Sequence, residues 1–373
     1  MSDPVPAMAE RASACAERVL AADSVVLASH IDADGLTSGA IAATALERAG
    51  IPFETTFEKQ LDAAAIERIA ATDHEVALFT DFGSGQLEDI LPHHRADAFD
   101  AVVADHHQPA TGEEGEEAPD IDHHLNPLLF GIDGAAELSG AGATYVLARA
   151  MERDGVDNRD LAALAVVGAV GDMQDTDGGL LGANQGIVAE GVDAGVLEEV
   201  TDISLYGRQT RPLPKLLEYA SELRIPGISG DEEGAIRFLS DLDVDLKVDG
   251  DWRRWVDLSF EERQTVASAL MRHAISRGVP PERVNGVTTT TYTLSAEEVG
   301  TELRDVSEFS TVLNATARYE RADVGLAVCL GYRDEALEEA RTLLRTHRRN
   351  LSEGLEWVKT EGVEQAEHLQ WFD

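Results

Sequence analysis

The chain has little cysteine, lysine or aromatic residue: two Cys, four Lys and 5 % Phe, Trp and Tyr together in 373 residues. Cys15 and Cys329 stand far apart, and neither has a Cys-x-x-Cys partner. That argues against a thiolate zinc site and leaves both as small buried hydrophobes. No apolar run approaches the roughly 18 residues of a membrane span. Met1-Ser2-Asp3-Pro4 lacks the basic and apolar regions of a signal peptide, so a cytoplasmic protein is expected. Basic residues are scarce too, 30 against 70 acidic, for a formal net charge of −40. Apart from Lys59, Lys215, Lys247 and Lys359 they are all Arg. A field of that sign repels polyanions and would ordinarily argue against nucleic acid. The acid is spread along the whole chain, however, as in a salt-adapted proteome. At molar salt the Debye length falls to ~3 Å and long-range repulsion vanishes. Net charge therefore does not exclude a nucleic-acid substrate.

What the chain does have is 43 % hydrophobic residues, enough for buried cores in two or three domains. In the first 200 residues short apolar runs alternate with amphipathic stretches. Strands are predicted over residues 24–29, 53–57, 75–80 and 101–104, with helices over 36–49, 61–71 and 86–91. Regular strand–helix succession implies a parallel sheet covered on both faces. Glu113, Glu114, Glu116 and Glu117 read as a solvated acidic insertion. Helices are predicted over 139–153, 159–170 and 185–195. A boundary falls between about 200 and 230, where Arg211-Pro212-Leu213-Pro214 and Ile225-Pro226-Gly227 punctuate the chain. Beyond it the pattern gives helices near 232–239 and 259–276, a Thr-rich strand over 288–293, a helix to Tyr319, a strand over 325–330 and a long helix over 335–359.

Carboxylates and histidines collect where these elements end. His30, Asp32 and Asp34 alternate after the first strand, so on an extended backbone they leave on one side and can converge on a cation. Gly35 lets the chain turn, and the next helix offers its N-terminus to an anion. The alternative is a polar strand-to-helix turn with a cap. Asp81 follows a buried strand and could bridge two metals or merely cap the next helix. Asp105-His106-His107 offers one ring to a metal and the other to a phosphate, with Asp105 steadying a ring; a satisfied polar loop is the alternative. Asp172 ends an otherwise apolar helix, where a carboxylate needs a partner. All these positions fall where open α/β sheets bind ligands.

In this order and spacing, His30-Ile31-Asp32-Ala33-Asp34-Gly35, Asp81, Asp105-His106-His107 and Asp172 resemble motifs one to four of the DHH phosphoesterase superfamily. Asn126-Pro127, residues 130–134, residues 139–142, and residues 309–315 with Arg318 resemble the archaeal RecJ-like exonucleases and extend the likeness over nearly the whole chain. The resemblance implies an α/β fold: a parallel five-stranded DHH-type sheet with helices on both faces over residues 1–205. A smaller helical, α+β region over 206–373 would follow, available for substrate binding. It implies two Mn²⁺ or Mg²⁺ ions held by Asp32, Asp34, Asp81, His106 and Asp172, with Asp81 as the bridge. His30 would be a further ligand or would support one; His107 would face the scissile phosphate. Oxygen-rich ligation with a few imidazoles suits Mn²⁺ in its own right. Such a pair of ions activates a water and stabilises the leaving oxygen of an in-line displacement.

The implied activity is hydrolysis of single-stranded DNA or RNA, or of short oligonucleotides or cyclic dinucleotides. The reading of a different class is a weakly catalytic replication scaffold that binds GINS. Inorganic pyrophosphatase is disfavoured, because its first motif spaces the His and first Asp more widely than His30 and Asp32. One departure concerns the Gly-Gly-Gly-His signature of the family's substrate-binding domain: the only adjacent glycines are Gly178-Gly179. A shortened member, a truncated gene model, or substrate grip by residues 230–373 are the alternatives. Asn314 and Arg318, one helical turn apart, could clamp a substrate phosphate. Asp122-His123-His124 reads as structural or substrate-adjacent, and His93-His94 as a surface feature. Arg341, Arg345, Arg348 and Arg349 share a helical face that is either salt-bridged or available to a nucleic-acid backbone.

Overall fold

The computed structural model describes residues 3–111, 118–176, 178–220, 223–366 and 368–371. The acidic insertion at Glu113, Glu114, Glu116 and Glu117 lies outside the described residues. After α1 (Ala9–Leu20), strands β1 (Val25–His30), β2 (Phe53–Glu58), β3 (Val76–Thr80), β4 (Asp100–Ala104) and β5 (His124–Leu125) form one sheet in the order β2-β1-β3-β4-β5. Every neighbouring pair is parallel. Alternation along the strands sorts the side chains. Val25, Leu27, Val76, Leu78 and Val102 enter a core with α1, α2 (Ala33–Ala49) and α5 (Gly140–Ala150). Val26, Ala28, Ala77, Phe79 and Val103 pack against α3 (Ala63–Ala70) and α4 (Leu87–Arg95) on the other face. Because β2 and β3 flank β1 on opposite sides, the winding reverses there. A crevice opens at the C-terminal ends of β1 and β3.

Helices α6 (Ala162–Gly171) and α7 (Ala183–Asp193) lead to β6 (Leu197–Ile203). The chain then builds a second core from α8 (Leu213–Glu218), α9 (Glu232–Ser240), the hairpin β7 (Lys247–Val248) and β8 (Asp251–Trp252), α10 (Phe260–Ser276) and α11 (Pro281–Asn285), with Trp255 fully buried at its heart. It returns through β9 (Thr288–Leu294), which pairs antiparallel with β6 from Leu197↔Leu294 to Ile203↔Thr288. Entry and exit thus share one ladder. Helices α12 (Val306–Arg318), α13 (Ala322–Cys329) and the first part of α14 (Glu335–Glu361) then pack on the first core through Phe309, Val312, Leu313, Val328 and Leu344. A hairpin of β10 (Glu364–Gln365) and β11 (Gln370–Trp371) follows.

The strand expected at residues 325–330 is instead the helix α13. A short apolar run reads alike for a buried strand and a buried helix. Here Gly325 sits directly against Leu36 and Thr316, so this segment is a helix wedged between α2 and α12 rather than a sheet edge. Among the described residues no helix is long and apolar enough to cross a membrane.

Candidate metal centre

His30 ends β1, Asp81 follows β3, Asp105 follows β4 and Asp172 caps α6. Parallel strands in register bring the first three to one edge of the sheet, and α6 brings the fourth. The expectation of extended backbone holds for Asp32, the N-cap of α2, whose Oδ1 accepts from Gly35 N at 3.0 Å, and is corrected for Asp34, which lies in the first helical turn. Helical curvature, not strand alternation, turns Asp34 inward, where it is buried. Gly35 is needed for close approach rather than for a turn, since a Cβ there would lie 2.2 Å from the His30 carbonyl oxygen.

The side chains converge in three overlapping groups whose ligand atoms lie within 4.8 Å of one another: Asp81 with Asp105, His106 and His107; His30 with Asp32 and Asp81; and Asp34 with His106 and Asp172. Asp81 takes part in two of them. Its Oδ1 is 3.3 Å from His106 Nε2 and its Oδ2 is 3.6 Å from His30 Nδ1. His106 Nε2 also stands 3.7 Å from Asp34 Oδ2. The other His106 nitrogen bonds the Gly134 carbonyl at 2.6 Å, which fixes Nδ1 as the donor and leaves Nε2 to face the carboxylates. Asp34 is oriented by the backbone N–H groups of Gly140 at 2.7 Å and Ala141 at 3.0 Å, the first turn of α5. Gln174 holds Asp172 Oδ2 at 3.0 Å and the Gly134 carbonyl at 2.9 Å. Gly134 falls in the 130–134 stretch that carried the family resemblance, though without a role, since it works through its carbonyl; Gln174, a polar residue in a loop, had no signal in the sequence.

Asp105 is buried and spends its oxygens within the site. Oδ1 accepts from His107 Nδ1 at 2.8 Å and from the His106 and His107 backbone; Oδ2 accepts from Ser84 N at 2.9 Å. His107 keeps its other nitrogen toward the crevice, with its side chain 55 % exposed. The Asp105 hydrogen bond raises the His107 pKa above its ordinary value.

Two buried oxygens of Asp81, His106 Nε2 and His30 Nδ1 have no hydrogen-bond partner. Leaving them so costs kcal/mol amounts for each group. A divalent cation among them removes that cost, and the donor set of carboxylates and imidazoles fits one. The electrostatics express the same deficit. Burial raises Asp34, with Asp81 and Asp172 adding to it. Burial opposes charge on both rings, yet Asp81 with Asp34 drives His106 up to about 11, and Asp32 with Asp81 drives His30 up to about 10. Asp81, despite its burial, is held below the usual carboxylate range by those two histidines. Crowded carboxylates thus recruit protons where positive charge is wanted.

Other sequence candidates lie differently. Asn314 Oδ1 accepts from Ala33 N at 3.2 Å and so braces the start of α2, while Arg318 is exposed on α12. His124 is buried in β5 against Ser84 Oγ at 2.8 Å, and His93 stacks on Phe99. Arg341 pairs with Glu302 and Glu338, and Arg349 lies 3.9 Å from Glu353. Arg345 donates to Thr342 Oγ1, and Arg348 to the Tyr206 hydroxyl.

Residues 205–288 match the model of the DHH-CID domain family. An uncharacterized protein of Methanocaldococcus jannaschii, MJ0831, is 28 % identical over 347 residues, 92 % of this chain and 72 % of its own length. Among solved structures, exonuclease RecJ bound to manganese superposes with a TM-score of 0.53 at 18 % identity, over 94 % of this chain and 68 % of that one. RecJ from Thermus thermophilus in complex with Mn²⁺ gives 0.51 at 20 % identity, over 94 % of this chain and 39 % of that one. CDC45 from Entamoeba histolytica gives 0.57 at 13 %, over 90 % and 71 %. At these identities the likeness to the solved structures is one of fold.

Proposed function

We propose that this chain, whose residues 205–288 match the DHH-CID family and whose fold is that of RecJ, is a divalent-metal-dependent phosphodiesterase acting on single-stranded DNA or RNA as a RecJ-like exonuclease. The observation that carries this is the set of buried atoms on Asp81, His106 and His30 that lack a hydrogen-bond partner. Asp32, Asp34, Asp81, His106 and Asp172 would hold two Mn²⁺ or Mg²⁺ ions, with Asp81 between them and His30 as a further donor. Bound there, the ions supply Lewis-acid activation of water and neutralise the phosphate. His107, aimed by Asp105, donates a hydrogen bond to the scissile phosphate from the crevice side. Asn314 and Arg318 contact the substrate from α12. The chain works as a catalytic body built from residues 1–200 and 289–344, with residues 203–288 as an inserted module.

The fold shared with CDC45 favours a second reading, a scaffold with little catalysis that pairs with replication proteins such as GINS. Against it stands the electrostatic cost of so many convergent carboxylates in a protein that has no use for a cation. Purified protein in high salt with Mn²⁺ is expected to shorten end-labelled single-stranded oligonucleotides, and Asp81→Ala or Asp105→Ala to abolish this. DNA and RNA labelled at either end report polarity and sugar preference. Equal inertness of wild type and variants on DNA, RNA and dinucleotides would leave the scaffold reading standing.

A further inference from the structure

Beside the metal cluster lies a cavity of about 330 Å³, between α6, α12 and the β6–β9 ladder. Its wall includes Gly171 and Met173, the sequence neighbours of Asp172, and Asn314, which braces the start of α2. That volume sits at the lower end of small-ligand sites, ~300–1,000 Å³. The lining is rich in hydroxyls, but several are already spent as donors. Ser307 donates to Asp305, Ser310 and Thr311 donate to the Ser307 carbonyl, and Thr291 donates to the Val200 carbonyl. What those four offer a ligand is lone pairs, whereas Asp305 spends its oxygens on Arg208, Ser307 and Glu308. With Arg208 and Asp305 paired in its wall, the cavity suits a neutral group bearing N–H or O–H donors, such as a sugar or base.

Tyr206 lines the same cavity. The Arg211 guanidinium lies 4.8 Å from the ring centroids of both Tyr206 and Tyr219, and Arg348 from α14 lies 5.5 Å from Tyr206 and donates to its hydroxyl. Most arginines near this surface are paired: Arg208 with Asp305, Arg253 with Glu262, Arg254 with Asp257, Arg341 with Glu302. Among the described residues neither Arg211 nor Arg348 has a carboxylate within 4.0 Å. In a chain of 70 acidic residues, two adjacent unpaired cations stacked on tyrosines are a local reversal of the surface. Stacking on tyrosine accounts for where each guanidinium rests. It does not account for two like charges side by side.

We infer that this cavity and the Tyr206–Arg211–Arg348 cluster form one track for a single nucleic-acid strand. The nucleoside next to the scissile phosphate occupies the acceptor-lined cavity, and the following phosphates lie on Arg211 and Arg348, with Tyr219 as a stacking platform. The exposed Tyr219 ring suits that platform, being 55 % accessible. The inference rests on the phosphodiesterase reading for the position of the scissile phosphate, but not for strand binding itself.

The test measures binding and generic hydrolysis separately. Fluorescence anisotropy of labelled twelve-nucleotide oligothymidylate and oligouridylate, in EDTA, compares wild type with Arg211→Ala, Arg348→Ala, the double variant and Arg348→Lys. Hydrolysis of bis(p-nitrophenyl) phosphate with Mn²⁺ reads the metal centre alone. The double variant is expected to bind both oligonucleotides about tenfold more weakly, and its log-affinity against log-salt slope to be shallower by about 1.4, for two phosphates at ~0.7 each. Arg348→Lys is expected to keep the wild-type slope, and hydrolysis of the small ester to stay within about twofold in every variant, since none of these residues touches the cluster. Unchanged affinity and slope in a folded double variant overturn the track. Wild type that hydrolyses the small ester but binds neither oligonucleotide also overturns it. Wild type that binds both through these arginines yet hydrolyses no phosphodiester sustains the track and removes the phosphodiesterase reading.

Discussion

Gly140 is a residue at which the metal centre has no room to give: a Cβ there would lie 2.4 Å from Asp81 Oδ1. The same residue's N–H holds Asp34 Oδ2 at 2.7 Å. One substitution therefore pushes the central carboxylate and shifts the donor that orients its neighbour. Displacing groups that support metal ligands typically costs 10–100-fold in metal affinity or activity. Gly140→Ala is expected to lower Mn²⁺ affinity by about that factor, read by calorimetric titration, and, since overpacking a buried site costs ~1–3 kcal/mol, to lower the thermal midpoint of the metal-free protein as well. A titration matching wild type would mean that Asp81 is not held where the geometry places it. This position also marks the limit of what single residues disclose. His30, Asp32, Asp34, Asp81, Asp105, His106 and Asp172 were legible as chemistry, because carboxylates and imidazoles at element ends advertise themselves. Gly140, Ala141 and Gly134 serve through backbone N–H and C=O groups that every residue possesses, so the resemblance of residues 130–134 and 139–142 marked the stretches but not what these residues do.

At the scale of elements, α12 joins the two cores. Its Asp305 N-cap binds Arg208, and its buried Glu308 accepts from Gln209 N at 2.9 Å and from the Thr210 hydroxyl at 2.5 Å. Burial, with Asp305 adding to it, raises the Glu308 pKa to about 7 despite those donors. The folded protein thus keeps a proton that the unfolded chain has released above its ordinary pKa of 4.5. The stability this proton confers is full below about 4.5 and is lost as pH rises through about 7. At ~1.4 kcal/mol per unit it amounts to no more than about 3.5 kcal/mol. Glu308→Gln keeps the hydrogen-bonding shape without the charge. Urea midpoints taken from pH 5 to 8 at constant salt are expected to fall relative to this variant in the wild type, and parallel profiles would remove Glu308 as the cause. Most elements were legible from periodicity, including α2, α10 and α14. The failure at α13 has a physical reason: residues 325–330 are apolar throughout, and only the neighbours Leu36 and Thr316 decide between strand and helix. The two-residue β5 is likewise too short to carry a pattern.

For the whole molecule, sequence could not disclose that the chain leaves the first core at Ile203 and returns to it after Thr288, because nothing local in Phe309 or Leu313 says which core they join. Net charge, by contrast, is visible from the first reading, and its consequence can be scaled. Spread over 18180 Å² of surface, 40 net negative charges leave roughly 450 Å² each, a mean spacing of roughly 21 Å. The Debye length is ~30 Å at 0.01 M salt, ~10 Å at 0.1 M and ~3 Å at 1 M. Mutual repulsion among net charges is therefore nearly unscreened at the lowest of these, largely screened at the second, and gone at the third. The thermal midpoint is expected to climb steeply in KCl between about 0.01 and 0.2 M and then to flatten, if repulsion is the only term. Hydration of a carboxylate-rich surface works over a different range, since it depends on ion and water activity rather than on screening length. A midpoint that keeps rising from about 0.5 to 3 M KCl would assign the acidic surface to hydration in concentrated salt. Choline chloride separates the two: at equal ionic strength it screens identically, so any excess stabilisation by KCl in the molar range belongs to the hydrated cation at the carboxylates. We expect equal midpoints in the two salts below about 0.2 M and a higher one in KCl above about 1 M; coincident curves throughout would reduce the role of the acidic surface to simple charge repulsion.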